Sequence, residues 1–133
     1  MISEEYILRV AFETIKNGGS ASKPGKEKFL APMDVWSFPK YPSRTAILPP
    51  SVDLAFELRK FIIQNEALLS QEDCWLGTWI NPKSEEYYLD VATGISDLDE
   101  ARKMAAKISD EDGRQIVAIF NPKRNETIYL CNE

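Results

Sequence analysis

Two hairpins that turn on the same three residues constrain the fold of this chain more than any other feature. Ile80-Asn81-Pro82-Lys83 leads into Tyr87-Tyr88-Leu89, and Phe120-Asn121-Pro122-Lys123 leads into Ile128-Tyr129-Leu130. Asn and Pro are favoured in turns, so the repeat is either a vestigial duplication or the independent use of common turn residues. We favour the second interpretation. Two copies are too few for a solenoid.

The flanking segments predict the strands of these hairpins and a helix between them. Asp97 and Glu100 form a capping-box pattern at the start of a helix that is expected to reach about Asp110. A helix that joins two hairpins has to cross over and cover one face of their sheet. The sequence therefore predicts a C-terminal ββαββ unit, with strands at 75–80, 86–92, 116–120 and 126–130. The third strand is a continuous apolar run, which predicts burial on both faces.

The first 74 residues give weaker patterns. Ser3 begins a predicted helix to Lys16, and residues 17–28 have the composition of a flexible polar loop. Residues 35–38 and 45–48 predict short strands, which the nearby prolines would keep at a sheet edge. A second helix is predicted from a cap at Ser51 to about Leu69. The whole chain, 1–133, is expected to be a single α+β domain with a mostly antiparallel sheet and about three helices.

The chain contains no histidine, and this excludes several classes of catalytic site. Ser-His-Asp and Cys-His nucleophile systems and histidine-based zinc sites cannot form. Two cysteines are too few for a four-cysteine metal site. The segment Gly19–Glu27 fails as a phosphate loop, because its glycine spacing is wrong and Glu27 stands where a magnesium ligand is needed. We expect no catalytic residues, no metal and no cofactor.

The N-terminal residues and the length of the apolar runs predict the cellular compartment. The chain starts with acidic residues where a secretory signal needs basic ones, and no apolar run is long enough for a membrane span. A cytoplasmic protein is expected, and its two thiols, Cys74 and Cys131, would then be reduced. A spatial pairing of these two residues stays open.

Protein binding is the leading function that the sequence predicts. The acidic helix offers a docking face for a basic partner through Asp97, Asp99, Asp110 and Asp112. Aromatic side chains of the first hairpin offer a second docking surface, since such residues are enriched in binding hot spots. These are Trp75, Trp79 and Tyr88. Association with a second copy of the chain also stays open.

Two alternatives come from other classes of function. The first is binding of single-stranded nucleic acid, in which basic side chains contact phosphates and aromatic ones stack on bases. Its candidate residues are Lys26, Lys28, Lys40, Trp36 and Tyr41. The second is a histidine-free enzyme that uses Asp90 as a base. That hypothesis requires Asp90 to lie in a concave site with a raised pKa.

The second half also resembles a known group of proteins. Leu76–Pro82, Tyr87–Val91, Asp99-Glu100-Ala101 and Ile116–Phe120 are similar to a family of small uncharacterised proteins that phages and other mobile elements often carry. The resemblance covers about residues 75 to 130. It implies a strand–turn–strand–helix–strand fold, no established activity and no catalytic residues to transfer. If the resemblance holds, one form of the predicted binding function is an inhibitor or accessory factor that docks on a host or phage protein.

Overall fold

A computed structural model describes residues 2–130, which form one curled antiparallel sheet covered by helices. The predicted α+β class is confirmed. The helices are α1 (Glu4–Asn17), α2 (Leu54–Gln64), α3 (Glu66–Leu69) and α4 (Leu98–Asp112). The strands are β1 (Gly19–Lys23), β2 (Lys28–Phe29), β3 (Trp36–Pro39), β4 (Ala46–Leu48), β5 (Trp75–Ile80), β6 (Tyr87–Ile95), β7 (Ala118–Asn121) and β8 (Glu126–Tyr129).

The strand order shows that the two predicted hairpins form but are not neighbours. The order is β2-β1-β5-β6-β3-β7-β8, and β4 pairs with β6 beside β3. Strand β3 therefore lies between the hairpins β5–β6 and β7–β8, and the prediction that it is an edge strand is wrong. Its proline does not prevent this, because Pro39 is the last residue of the strand.

Both hydrophobic cores lie on the same face of the sheet. Leu89 and Val91 of β6 pack in the core formed with α1 and α2. Ile95 of β6 points to the same face as Leu89 and Val91, because alternate residues of a strand share a face. Trp36 of β3 is paired with Ile95, and Trp36 packs in the second core with α4. The helices consequently cover one face, while the opposite face presents the side chains of Trp79, Tyr88 and Asp90.

Strand β1 occupies a segment that the sequence predicts to be a flexible loop. Residues 19–22 pair with residues 79–76 of β5, so that prediction is wrong. Hydroxyl groups hold this strand: Thr14 Oγ1 lies 2.6 Å from Thr78 Oγ1, and Ser20 Oγ lies 2.7 Å from the same atom. A strand that is fixed by buried hydroxyls has no apolar alternation for a sequence pattern to detect.

Three smaller differences concern element ends and burial. Helix α2 is capped by Asp53 in place of the predicted Ser51, and it stops at Gln64 before the short α3. Residues 2–130 therefore contain four α-helices where about three are predicted for the chain. Strand β7 begins at Ala118, and Ala118 and Phe120 are partly exposed while Ile119 is buried, so burial on both faces is also wrong.

Candidate functional site

Helix α1 has a second apolar side that the core does not cover. Its buried residues are Tyr6, Ile7, Val10 and Thr14. Leu8, Phe12 and Ile15 recur at helical spacing on another side, and they are 53, 60 and 60% exposed. Three large apolar side chains thus form an exposed stripe along α1.

Helix α2, which packs against α1, has two more exposed apolar side chains. Phe56 and Ile63 lie two turns apart on one side of α2 and are 62 and 67% exposed. The two helices pack together, and Arg59 of α2 donates a hydrogen bond to Glu4 at the start of α1. We call the surface made by Leu8, Phe12, Ile15, Phe56 and Ile63 the α1–α2 face.

A groove at one end of the helix pair fixes the direction of the helices. It encloses about 300 Å³ between Ile2, before α1, and residues from Ile62 to Ser70, at the end of α2 and in α3. The start of α1 is therefore near the end of α2, so the two helices run antiparallel. An antiparallel pair presents its outward side chains as one broad surface.

The charged residues on these two helices carry both signs. Glu57 and Lys60 of α2 form an ion pair at 3.7 Å. Lys16 lies 5.6 Å from the ring centroid of Phe12, and the guanidinium of Arg9 lies 4.7 Å from that of Phe29. Lys16, Arg9 and Lys60 therefore each contact another side chain of the protein. The polar residues around the α1–α2 face carry charges of both signs.

The sequence pattern shows the apolar residues of α1 but does not show which of them are exposed. Leu8, Phe12 and Ile15 fit the helical period together with Ile7, so the pattern predicts one apolar side that faces the core. The helix instead buries Val10 and the polar Thr14. The apolar residues of α1 extend around more of the helix than a single core can cover, which indicates that some of them are exposed.

The structure places the four acidic candidates at the two ends of α4. Asp97 is the N-cap, and its carboxylate accepts a hydrogen bond from the amide of Glu100. Asp112, at the other end, accepts one from the amide of Ser43 at 2.7 Å. Asp99 and Asp110 are exposed near opposite ends. Since a helix rises 1.5 Å per residue, the two ends are roughly 20 Å apart, and the four carboxylates form no single cluster.

The three aromatic candidates of the first hairpin lie on one face of the sheet, and two of them, Trp79 and Tyr88, are in contact. Trp79 is paired with Tyr88 and Trp75 with Ala92, so Trp75, Trp79 and Tyr88 share one face of the sheet. The rings of Trp79 and Tyr88 meet edge to face at 5.1 Å, and Tyr129 lies 6.4 Å from Trp79. All of these rings are partly buried. Trp79, Tyr88 and Tyr129 form a packed cluster that is exposed only in part, whereas Trp75 lies at the other end of β5, with its ring near Gly94.

The candidates for nucleic-acid binding are dispersed. Trp36 is 3% exposed in the α4 core. Lys40 pairs with Asp73 at 2.9 Å, and the hydroxyl of Tyr41 donates to Gln71. Lys26 and Lys28 are exposed, but they lie at the β1–β2 hairpin, where β1, β5 and β6 separate β2 from β3. This arrangement offers no stacking platform beside the lysines.

Asp90 lies beside a small cavity. Its carboxylate accepts a hydrogen bond from Thr45 Oγ1 at 2.6 Å, and Arg114 donates to the carbonyls of Pro42 and Thr45 close by. Burial raises the pKa of Asp90 to about 6, against the opposing effects of the Thr45 hydrogen bond and the Arg114 charge. The free space is about 50 Å³, which holds only a few water molecules.

These contacts give Asp90 and Arg114 a structural role. Both hold the 42–45 segment against the sheet, and Asp112 holds the same segment through Ser43. Within residues 2–130, no group of three or more acidic or cysteine side chains is placed to bind a metal ion. Cys74 is a free, buried thiol whose pKa is raised by that burial. Cys131, which the sequence leaves open as a partner of Cys74, lies outside the described residues.

Comparisons with known proteins give no family for the chain. In the part of the chain that the structure describes, no helix has both the length and the apolar character that membrane crossing requires. No family model, no curated protein and no solved structure matches the chain.

Proposed function

We propose that the protein is a non-catalytic binding protein that docks on another protein chain through the α1–α2 face. The observation that carries this proposal is the exposure of five large apolar side chains on two packed helices. Contiguous apolar surface of this kind is uncommon on proteins that act alone, and it marks interaction sites. Two of the five, Phe12 and Phe56, are aromatic, and aromatic residues are enriched at protein interfaces relative to the rest of the surface.

The chemistry of the face defines the class of partner. Its centre is apolar and its polar surroundings are mixed in sign, so it suits an apolar helical surface of a protein more than a nucleic acid or an ionic ligand. The partner's own side chains would pack between the ridges of α1 and α2. The acidic ends of α4 and the Trp79–Tyr88 cluster are secondary candidates for the same activity.

Site-specific photo-crosslinking in the native host tests this function. A photoreactive phenylalanine analogue at position 12 or 63 is expected to form covalent adducts with protein, because both positions lie at the proposed interface. The same analogue at Met104, an exposed apolar position on α4 that is 39% exposed, is the matched control and should form none. The measurement is the appearance of heavier, protein-containing bands after illumination.

Charge reversal separates this proposal from docking through the acidic helix. Asp97→Lys and Asp110→Lys should leave the adducts at position 12 unchanged. Adducts that form equally at positions 12 and 104, or at neither, would contradict docking through the α1–α2 face. Loss of the adducts on charge reversal would instead assign binding to α4.

A further inference from the structure

We infer that the chain covering the α1–α2 face is a second copy of this protein, packed across a two-fold axis. This inference rests on the proposed function and names its partner. A two-fold interface uses the same surface on both subunits, so the surface has to be complementary to itself in area, shape and charge.

The exposed area suits a dimer of ordinary size. A large side chain such as Phe covers about 150–250 Å² when buried, so five side chains near the lower end of that range and about 60% exposed leave roughly 500 Å² open. The polar rim adds to this apolar centre. The sum approaches the roughly 800 Å² per partner that a stable interface buries.

The charges on the two helices also permit self-association. Glu5, Glu13 and Asp53 oppose Arg9 and Lys16 near the face, while Arg59 is bonded to Glu4 and Lys60 to Glu57. A two-fold axis can set residues of one sign against residues of the other, because both signs surround the same apolar centre. The helices are therefore much closer to neutral than the complete chain, which has a net charge of −5.

The shape of the face completes the argument. Two antiparallel helices that meet their own copy form a four-helix layer, in which the side-chain ridges of each pair fit the grooves of the other. The sheets would then lie on the two outer sides of this layer. The dimer therefore consists of a sheet, two layers of helices and a second sheet.

Sedimentation equilibrium of the purified full chain tests the inference. The wild-type protein is expected to be a dimer at tens of micromolar. Phe12→Glu and Ile63→Glu should each weaken association roughly 30-fold or more, because each places an unpaired charge in the apolar centre. Met104→Glu, on α4, should leave association unchanged. Circular dichroism of each variant establishes that the fold is kept, and Ile63→Glu serves if Phe12→Glu does not fold.

Salt provides a second readout. Two copies of net charge −5 repel each other at long range, so an apolar dimer should keep or gain affinity when salt screens that repulsion. A wild-type protein that stays monomeric at hundreds of micromolar overturns the second-copy inference, as does a dimer that both variants leave intact. A monomer that still gives adducts to a different protein at position 12 leaves the proposed function standing, whereas the absence of all adducts removes both.

Discussion

Replacing Gly19 by alanine should lower the free energy of unfolding by about 3 kcal/mol. A Cβ atom at this position would lie 2.6 Å from the carbonyl oxygen of Thr78, and this oxygen belongs to the backbone of the central strand β5. Neither strand can move without disturbing the β1–β5 pairing, since Gly19 is itself paired with Trp79. Urea unfolding followed by circular dichroism measures the change.

Gly25→Ala is the matched control for this prediction. Gly25 lies in the turn after β1, and an added Cβ would meet no atom within 4 Å. Its replacement should change the unfolding free energy by less than about 0.5 kcal/mol. If the two variants have the same stability, β1 and β5 do not approach each other closely at Gly19. The hydroxyl contacts of Thr14, Ser20 and Thr78 would then not depend on a glycine at this position.

This close approach matters for the candidate site because it fixes α1 on the sheet. Gly18 ends the helix in the left-handed conformation at a φ of 82°, and Gly19 starts β1 immediately afterwards. The hydroxyls of Thr14 and Thr78, which are buried, and of Ser20, which is partly buried, then hydrogen-bond helix and strands together. With α1 held in this way, Leu8, Phe12 and Ile15 are kept on the outer side of the molecule.

The C-terminal half was predictable because its local signals are strong and agree with the tertiary contacts. Strand β5 has the predicted bounds, and Asp97 caps α4 as expected. Asn81 and Asn121 each accept a hydrogen bond from the amide two residues later, so both Asn-Pro-Lys turns are closed by the same contact. The insertion of β3 between the hairpins was not predictable, since the pairing of distant strands has no signature within a short segment.

The candidate site was only partly predictable for a related reason. The spacing of apolar residues identifies an apolar side of a helix. It does not show whether the protein's own core covers all of that side or leaves part of it for a binding partner. Alternation in a strand is strict enough to put Trp75 and Trp79 on one face. That Tyr88 joins them follows from the β5–β6 register, which the sequence does not give. The four carboxylates of α4 were grouped by sequence, although a helix of that length separates its ends.

Asp90→Asn should stabilise the protein at neutral pH by about 2–3 kcal/mol. The pKa of Asp90 is raised to about 6 in the folded protein, against an ordinary value of 3.8, because burial disfavours its charge. The folded state therefore binds this proton more tightly than the unfolded state does. The resulting stability is fully present below about pH 3.8 and is lost as the pH rises through 6. Asparagine has a similar shape, stays neutral and can still accept the hydrogen bond from Thr45.

Urea titration at a series of pH values tests this prediction. It measures the difference between the unfolding free energies of Asp90→Asn and the wild type. This difference should be near zero at pH 4, rise between pH 4 and pH 6 and level off above the pKa of Asp90 at about 6. Asp110→Asn, which changes an exposed carboxyl on α4, should differ from the wild type by less than about 0.5 kcal/mol throughout. A difference for Asp90→Asn that does not vary with pH would mean that the carboxyl is solvated. Its position beside the cavity would then have no energetic consequence, whereas the expected curve would show that the charge of Asp90 at neutral pH is kept at a cost to folding.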